Sequence, residues 1–370
     1  MHRLNRPAGD DGAVAVLVAL LVSTVLLGMG ALVLDVGSLY AERRQLQNGA
    51  DAGALAVAQD CAAPTGCGTA STTAGKYANT NSNDGTSAVD LICGTAAGLP
   101  ACPAPQGPWD CQAIPSSLSG LNYVQVQLST RTSTGGTLLP PILARALPGM
   151  SGYSGTNVKA CARASWGGLA SHTASLSMTL SAWEWSCYTN NGTSFAPSPP
   201  YPPNPAASYE HNIFIHTTSE PAPCGVKPAG ASGYDLPGGF GWLDDTSGNC
   251  TVYVDDTLTY NDKTGVSAPS SCKTALSNAW TSHQLLYIPV YDGVSGTGGN
   301  GTYHLAGWAA FVLTGYQIPG AKQNSWLTGK SCAANGSDKC ISGFFTQVLI
   351  PTSGVIGGPS LGVTAIELSG

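Results

Sequence analysis

Residues Gly12 to Leu34 form a run of 23 residues without a charge, with only glycines, Ser23 and Thr24 breaking its apolar character. At about 1.5 Å per helical residue such a run reaches roughly 35 Å, enough for a hydrocarbon core of about 30 Å. A secretory signal peptide has a shorter apolar core of about 7–15 residues and a small-residue cleavage site behind it. Here the run passes directly into Asp35-Val36-Gly37-Ser38-Leu39-Tyr40, with no A-x-A site at the right distance. The expectation is a retained single-pass transmembrane helix over 12–34, preceded by a short polar tail over 1–11.

Beyond the span the chemistry changes. All 12 cysteines lie past residue 60: Cys61, Cys67, Cys93, Cys102, Cys111, Cys161, Cys187, Cys224, Cys250, Cys272, Cys332 and Cys340. The count is even and no C-x-x-C pair occurs, which favours disulfides over zinc or redox sites and places this part outside a reducing compartment. Near neighbours such as Cys61/Cys67 and Cys332/Cys340 are plausible short loops; the other pairings stay open. Arg3 and Arg6 flank one end of the span and Arg43 and Arg44 the other, so the cysteines set the expected orientation: N-terminus cytoplasmic, C-terminal bulk extracellular. Only 10% of residues are charged, against a usual ~25%, while Gly (47) and Pro (25) are abundant. With a net charge of -6 and no basic patch, nucleic-acid binding is disfavoured.

The helical pattern continues past the membrane. Leu32, Leu39, Leu46 and Gly53 repeat every seven, Ala50, Ala54 and Val57 widen that face, and Glu42, Arg43, Arg44, Gln45 and Asn48 cover the rest. One helix of about 45 residues is expected, its part over 35–60 lying outside the membrane. The small face of Gly49, Ala50, Gly53 and Ala54 suits close approach by a second helix, either a partner's or one from this chain.

Gly12-Ala13-Val14-Ala15-Val16, the apolar run, Asp35-Val36-Gly37-x-x-Tyr40 and Arg44-x-Leu46-Gln47-Asn48-x-Ala50-Asp51-Ala52-x-Ala54-Leu55-Ala56 together resemble the N-terminal segment of TadG-like proteins. These belong to the tight-adherence (Flp, type IVb) pilus assembly systems of bacteria. Gly49 and Gly53 stand where that family usually has Ala, and Asp11 where a basic residue is common. Related TadE-like pseudopilins carry a Glu early in the apolar run; this chain has no acid between Gly12 and Leu34, which points to the uncleaved TadG-like type. The resemblance implies that Asp35, Gly37, Tyr40, Leu46, Gln47, Asn48 and Asp51 are signature positions for assembly. Asp35, at the membrane exit, is expected either to cap the interface against water or to meet a partner.

The exported part reads as mainly β. Residues 61–190 form a Cys-rich β region, of which 61–120 reads as disulfide-tied loop. Tyr123–Leu128 alternates as a strand, Leu138–Leu147 suits a short helix after Pro140-Pro141, and Asn157–Ala164 alternates again. Leu176–Trp183 is another alternating strand. Residues 191–208, rich in Pro, form a loop or linker. Residues 209–370 form a second β region, with strands at Asn212–Thr217, Cys250–Val254, Leu285–Tyr291, Tyr303–Thr314 and Phe344–Ile350 and a Gly-rich turn at Val294–Gly301. Gly239–Asp244 and Ile288–Asp292 are similar to segments of actinobacterial TadE/G-like exported domains. The fold class is thus a transmembrane α-helix extending into a disulfide-rich, mainly β exported domain, α+β overall.

A search for chemistry finds little. Gly149-Met150-Ser151-Gly152-Tyr153 and Gly293-Val294-Ser295-Gly296-Thr297 lack the final Gly of a nucleophile elbow. His211 and His216, five apart on a strand, point to opposite faces and do not form a metal pair. Asp245-Thr246-Ser247-Gly248-Asn249 lacks the last Ser of D-x-S-x-S. Asp244, Asp245, Asp255, Asp256 and Asp262 have no EF-hand spacing and read as solvated turns. Trp183, Trp185, Tyr188, Tyr201, Tyr209, Trp242 and Trp308 could line a glycan-binding face, though core packing is the commoner use of such residues. No cofactor or metal is implied. The expectation is a non-catalytic pilus assembly component, in the bilayer and touching pilin or other assembly proteins through its N-terminal helix. The alternative is an anchored carbohydrate-binding adhesin.

Overall fold

A computed structural model describes residues 11–63, 66–107, 110–146, 149–215, 224, 240–245, 247–255, 259–261, 268–295, 302–336, 338–351 and 355–369. The chain divides into two compact units. The first comprises 1–118, 123–164 and 368–370, the second 119–122 and 165–367.

The first unit is built on one helix, α1 (Asp11–Ala62), of 52 residues. No proline interrupts it, and it stops just before Pro64, whose ring disfavours helical geometry in the residue ahead of it. The helix changes character along its length. From Val14 to Leu34 its large apolar side chains are exposed, whereas Leu46, Ala50, Ala54 and Val57 are buried. Among the described residues it is the one helix long and apolar enough to cross a membrane. The segments expected over 12–34 and 35–60 are therefore one continuous rod.

A second helix, α2 (Ala70–Thr80), lies against the small face of α1 and buries Ala70, Ala74 and Ala78. A Cβ placed on Gly49 would sit 3.2 Å from the Cα of Ala78, and one on Gly53 would sit 3.7 Å from the Cα of Ala74. The close approach anticipated for this face is thus made by the chain's own α2. The region 61–120, expected to be loop, also holds β1 (Ser87–Gly94). Both elements were hidden because α2 buries only alanines, leaving no large apolar stripe to read, and β1 is mostly half-buried.

β2 (Asn122–Thr130) pairs antiparallel with β1 and neighbours β3 (Lys159–Leu169). Val124, Val126 and Leu128 are fully buried. Each such burial contributes about 1.5–3 kcal/mol relative to exposure, and they lie under Gly53 and Gly49 of α1. The opposite face, Gln125, Gln127 and Ser129, is polar yet also buried. The loop over 105–115 and β1 supply its partners: Asp110 accepts from Gln127 at 3.0 Å and Asp90 from Ser129 at 2.8 Å. Instead of the helix expected over Leu138–Leu147, a single 3-10 turn forms at Ala144–Ala146; Pro140 and Pro141 remove two backbone donors.

The second unit is mainly β. In chain order its strands are β4 (His172–Ala174), β5 (Met178–Ser181), β6 (His211–Phe214), β7 (Phe240–Trp242), β8 (Val252–Val254), β9 (Thr259–Asn261), β10 (Leu285–Ser295), β11 (Thr302–Ile318), β12 (Ala321–Gln323), β13 (Cys340–Thr346), β14 (Val348–Pro351), β15 (Ile356–Gly358), β16 (Ser360–Leu361) and β17 (Val363–Leu368). The largest sheet runs β6-β13-β11-β10-β5-β7, with β9, β12 and β16 also on β11. β11 is covered on both faces. Ala309, Phe311 and Leu313 face a core shared with Leu276 and Ala279 of a helix, α4 (Ser270–Ser282). Val312, on the other face, packs with Phe344, Tyr201 and Trp326. A strand buried on both sides must be apolar at nearly every position, as Ala309 to Leu313 is.

Three sequence expectations need correction. Trp183 belongs not to a strand but to a short helix, α3 (Ala182–Tyr188), whose first turn is capped by Ser181 accepting from the N–H of Trp183 at 3.1 Å. Phe344–Ile350 is two strands broken at Gln347, which serve different sheets. α4 was missed; its buried stripe is only Cys272, Leu276 and Ala279. The Pro-rich run 191–208 is a packed loop, one of the two readings given for it: Ala196 bridges to Thr346, and Ser198 bonds Thr346 and Gln347. The main boundary between the two units falls at residues 164/165. His216 and Thr217, Gly239, Asp256, Asp262 and most of Val294–Gly301 lie outside the described residues.

All 12 cysteines are paired: Cys61–Cys67, Cys93–Cys102, Cys111–Cys161, Cys187–Cys224, Cys250–Cys272 and Cys332–Cys340.

Candidate functional site

The signature positions of α1 divide into those used by the first unit itself and those left at its surface. Asp35 is the clearest of the first kind. Its carboxylate accepts from three consecutive backbone N–H groups: Ile142 at 2.5 Å, Leu143 at 3.1 and 3.3 Å, and Ala144 at 2.5 Å. These donors lead into and open the 3-10 turn at Ala144–Ala146, and a turn start leaves its first N–H groups without internal partners. A carboxylate satisfies them as an N-cap does. In the structure the Asp35 carboxylate meets a loop about 107 residues away in its own unit.

Gln47 is used in the same way. Its side-chain amide donates to Asp51 at 2.8 Å and to the carbonyl of Cys161 on β3 at 2.9 Å. The i,i+4 spacing of Gln47 and Asp51 puts them on one helical face, and the bond to β3 fixes the register of helix on sheet. Leu46 is buried. Gly37, Tyr40 and Asn48, by contrast, are exposed. Tyr40, Arg44 and Asn48 are spaced by four and form one exposed stripe along α1.

Two clefts border this helix. One, of about 440 Å³, is lined by Val36, Leu39, Tyr40, Arg43, Tyr153 and Val158. The other, of about 510 Å³, is polar and includes Arg43, Gln47, Asp110, Lys159 and Arg163. Arg163 is a buried cation that sequence reasoning missed. Its guanidinium donates to Gln125 at 2.7 Å and to the carbonyls of Gln112 and Ala113, and burial pushes its pKa down, against a smaller opposing effect of Tyr123. Its only sequence signal is its place in the alternating run of β3. Glu42 was equally silent. Burial raises its carboxyl, the Thr130 hydroxyl opposes that, and Asp84 adds to it.

The other candidate groups do not converge. His211 stacks on Tyr188, His283 stacks on Trp326, and His304 meets Asp292 at 2.5 Å. Asp245 closes its own turn, accepting from the N–H groups of Ser247, Gly248 and Cys250 and from the hydroxyls of Ser247 and Ser271. Among the described residues no three His, Cys, Asp or Glu side chains gather as a cation cage. Trp242 and Trp308 are sealed in the core, so neither offers a ring face to a sugar.

Comparison with known families agrees with the weight that α1 carries. The model of a family described as "Putative Flp pilus-assembly TadE/G-like" matches residues 12–60, that is, the apolar span and the buried continuation together. No curated protein and no solved structure matches the chain.

Proposed function

We propose that this chain is a non-catalytic, membrane-anchored component of Flp (tight-adherence) pilus assembly. Its N-terminus is cytoplasmic and its two disulfide-bonded units are extracellular. The observation that carries this reading is the family match over 12–60, which coincides with α1 from the apolar span to its packed end. Six disulfides, all beyond residue 60, support the orientation, because such bonds persist in oxidising surroundings. Since Gly49 and Gly53 are covered by α2, the surface left for pilin or another assembly protein is the stripe Tyr40–Arg44–Asn48.

Deleting the chain in its native host and scoring surface pili tests the role. Loss or altered number of pili is expected, and unchanged piliation would sink it. A photoreactive residue at position 48 tests the stripe, with an adduct to a pilin or assembly protein expected in native membranes.

A further inference from the structure

We infer that the loop over 138–146 is a second membrane contact, lying in the lipid headgroup layer beside the spanning helix. The inference starts from exposed apolar side chains that the fold leaves without cover. Leu138 (40%), Ile142 (59%) and Leu143 (39%) are all solvent-accessible large hydrophobics, and all three belong to this one loop.

The loop's depth is set by Asp35. That residue follows Leu34, the last of the apolar run, by about 1.5 Å of helix rise. Side chains on a helix lean toward its N-terminus, here toward the bilayer. The backbone N–H groups of Ile142, Leu143 and Ala144 are bound to this carboxylate, so this part of the loop sits at the end of the span. The interfacial layer extends roughly 5–7 Å beyond the hydrocarbon on each side, and a segment tied to residue 35 lies within it.

The neck of the loop is fixed too. Leu139 and Thr156 exchange backbone hydrogen bonds of 2.8 and 3.3 Å, and Asn157 donates to the carbonyl of Thr137 at 2.9 Å. The occupant that fits is a phospholipid surface. The apolar groups continue the lipid-facing surface of α1. Arg145, exposed on the same loop, supplies a cation for lipid phosphate.

The test uses the full chain in vesicles of phosphatidylethanolamine and phosphatidylglycerol, with the photoreactive amino acid p-benzoylphenylalanine at one position at a time. Lipid adducts are read by mass spectrometry at Leu27, Ile142, Leu143 and Tyr77. Tyr77, 37% exposed, matches Leu143 in accessibility but sits on α2 near Gly49, about 22 Å further along the helix. Adduct yields at Ile142 and Leu143 are expected to approach that at Leu27 and to exceed Tyr77 by about tenfold. Asp35→Ala, which unties the loop, should lower the Ile142 yield about threefold or more and leave Leu27 unchanged. Yields at Ile142 and Leu143 no higher than at Tyr77 overturn the proposal. So do adducts made of protein in place of lipid.

Discussion

Gly53→Ala should stabilise the first unit, and Gly49→Ala should not, although the two glycines lie one helical turn apart on the same face of α1. Both substitutions gain the same intrinsic helix preference, about 0.8–1.0 kcal/mol. At position 53 the new methyl meets Ala74 and Val126 at 3.7–3.8 Å, ordinary contact distance, so burial of the methyl adds to the gain. At position 49 it would come within 3.2 Å of the Cα of Ala78 and 3.3 Å of a methyl of Leu128. The first of these is backbone in a packed helix and cannot swing away. Overpacking of this kind costs about 1–3 kcal/mol, which cancels or outweighs the propensity gain. For a unit of this size about 1 kcal/mol moves the melting temperature by roughly 2–4 °C. Thermal unfolding of the full chain in a mild detergent, followed by far-UV circular dichroism to read the helices, should give Gly53→Ala above the parent and Gly49→Ala at or below it. A Gly49→Ala protein that melts as high as Gly53→Ala would refute the account of how α2 seats on α1.

Gln47→Ala removes the amide that bonds Asp51 and the Cys161 carbonyl, and should destabilise the first unit by about 1–2 kcal/mol; Gln47→Glu should not restore it, since a carboxylate cannot donate to a carbonyl. Paired Cys250→Ser and Cys272→Ser substitutions open a loop of separation 22 under α4 and should cost about 3 kcal/mol, visible as a lower denaturant midpoint. Glu42 is held above the ordinary glutamate value of 4.5 by burial. The native state therefore binds its proton more tightly than the unfolded chain, and stability falls as pH rises from that value through the raised one. Glu42→Gln should melt above the parent at pH 8, with the gap closing towards pH 4; a gap independent of pH would rule this out.

The anchor was the most legible part of the sequence, because an uncharged run of that length has few other uses. β10 and β11 were also legible: long runs of β-branched and aromatic residues state their conformation plainly. The two missed helices escaped reading for one reason. α2 buries alanines alone and α4 buries Cys272, Leu276 and Ala279 among hydroxyl residues, so neither presents the large apolar stripe that marks an amphipathic helix. The polar face of β2 was a different failure. Alternation over Tyr123–Leu128 marked the strand but not the burial of Gln125 and Gln127, over which a loop and a buried arginine fold. At the site, the signature positions were visible as a pattern while their roles were not. Nothing local in Asp35 announces that its partners lie beyond residue 140.

Because α1 runs from Asp11 to Ala62 without a break, no hinge separates the bilayer from the first unit. A spanning helix tilts by about 20° on average, and the part beyond Leu34 is roughly 42 Å long. A tilt of that size swings the far end of α1 sideways by about 14 Å, carrying the first unit with it. Bilayer thickness thus acts on this unit as on the end of a stiff lever, and its attitude is set inside the membrane.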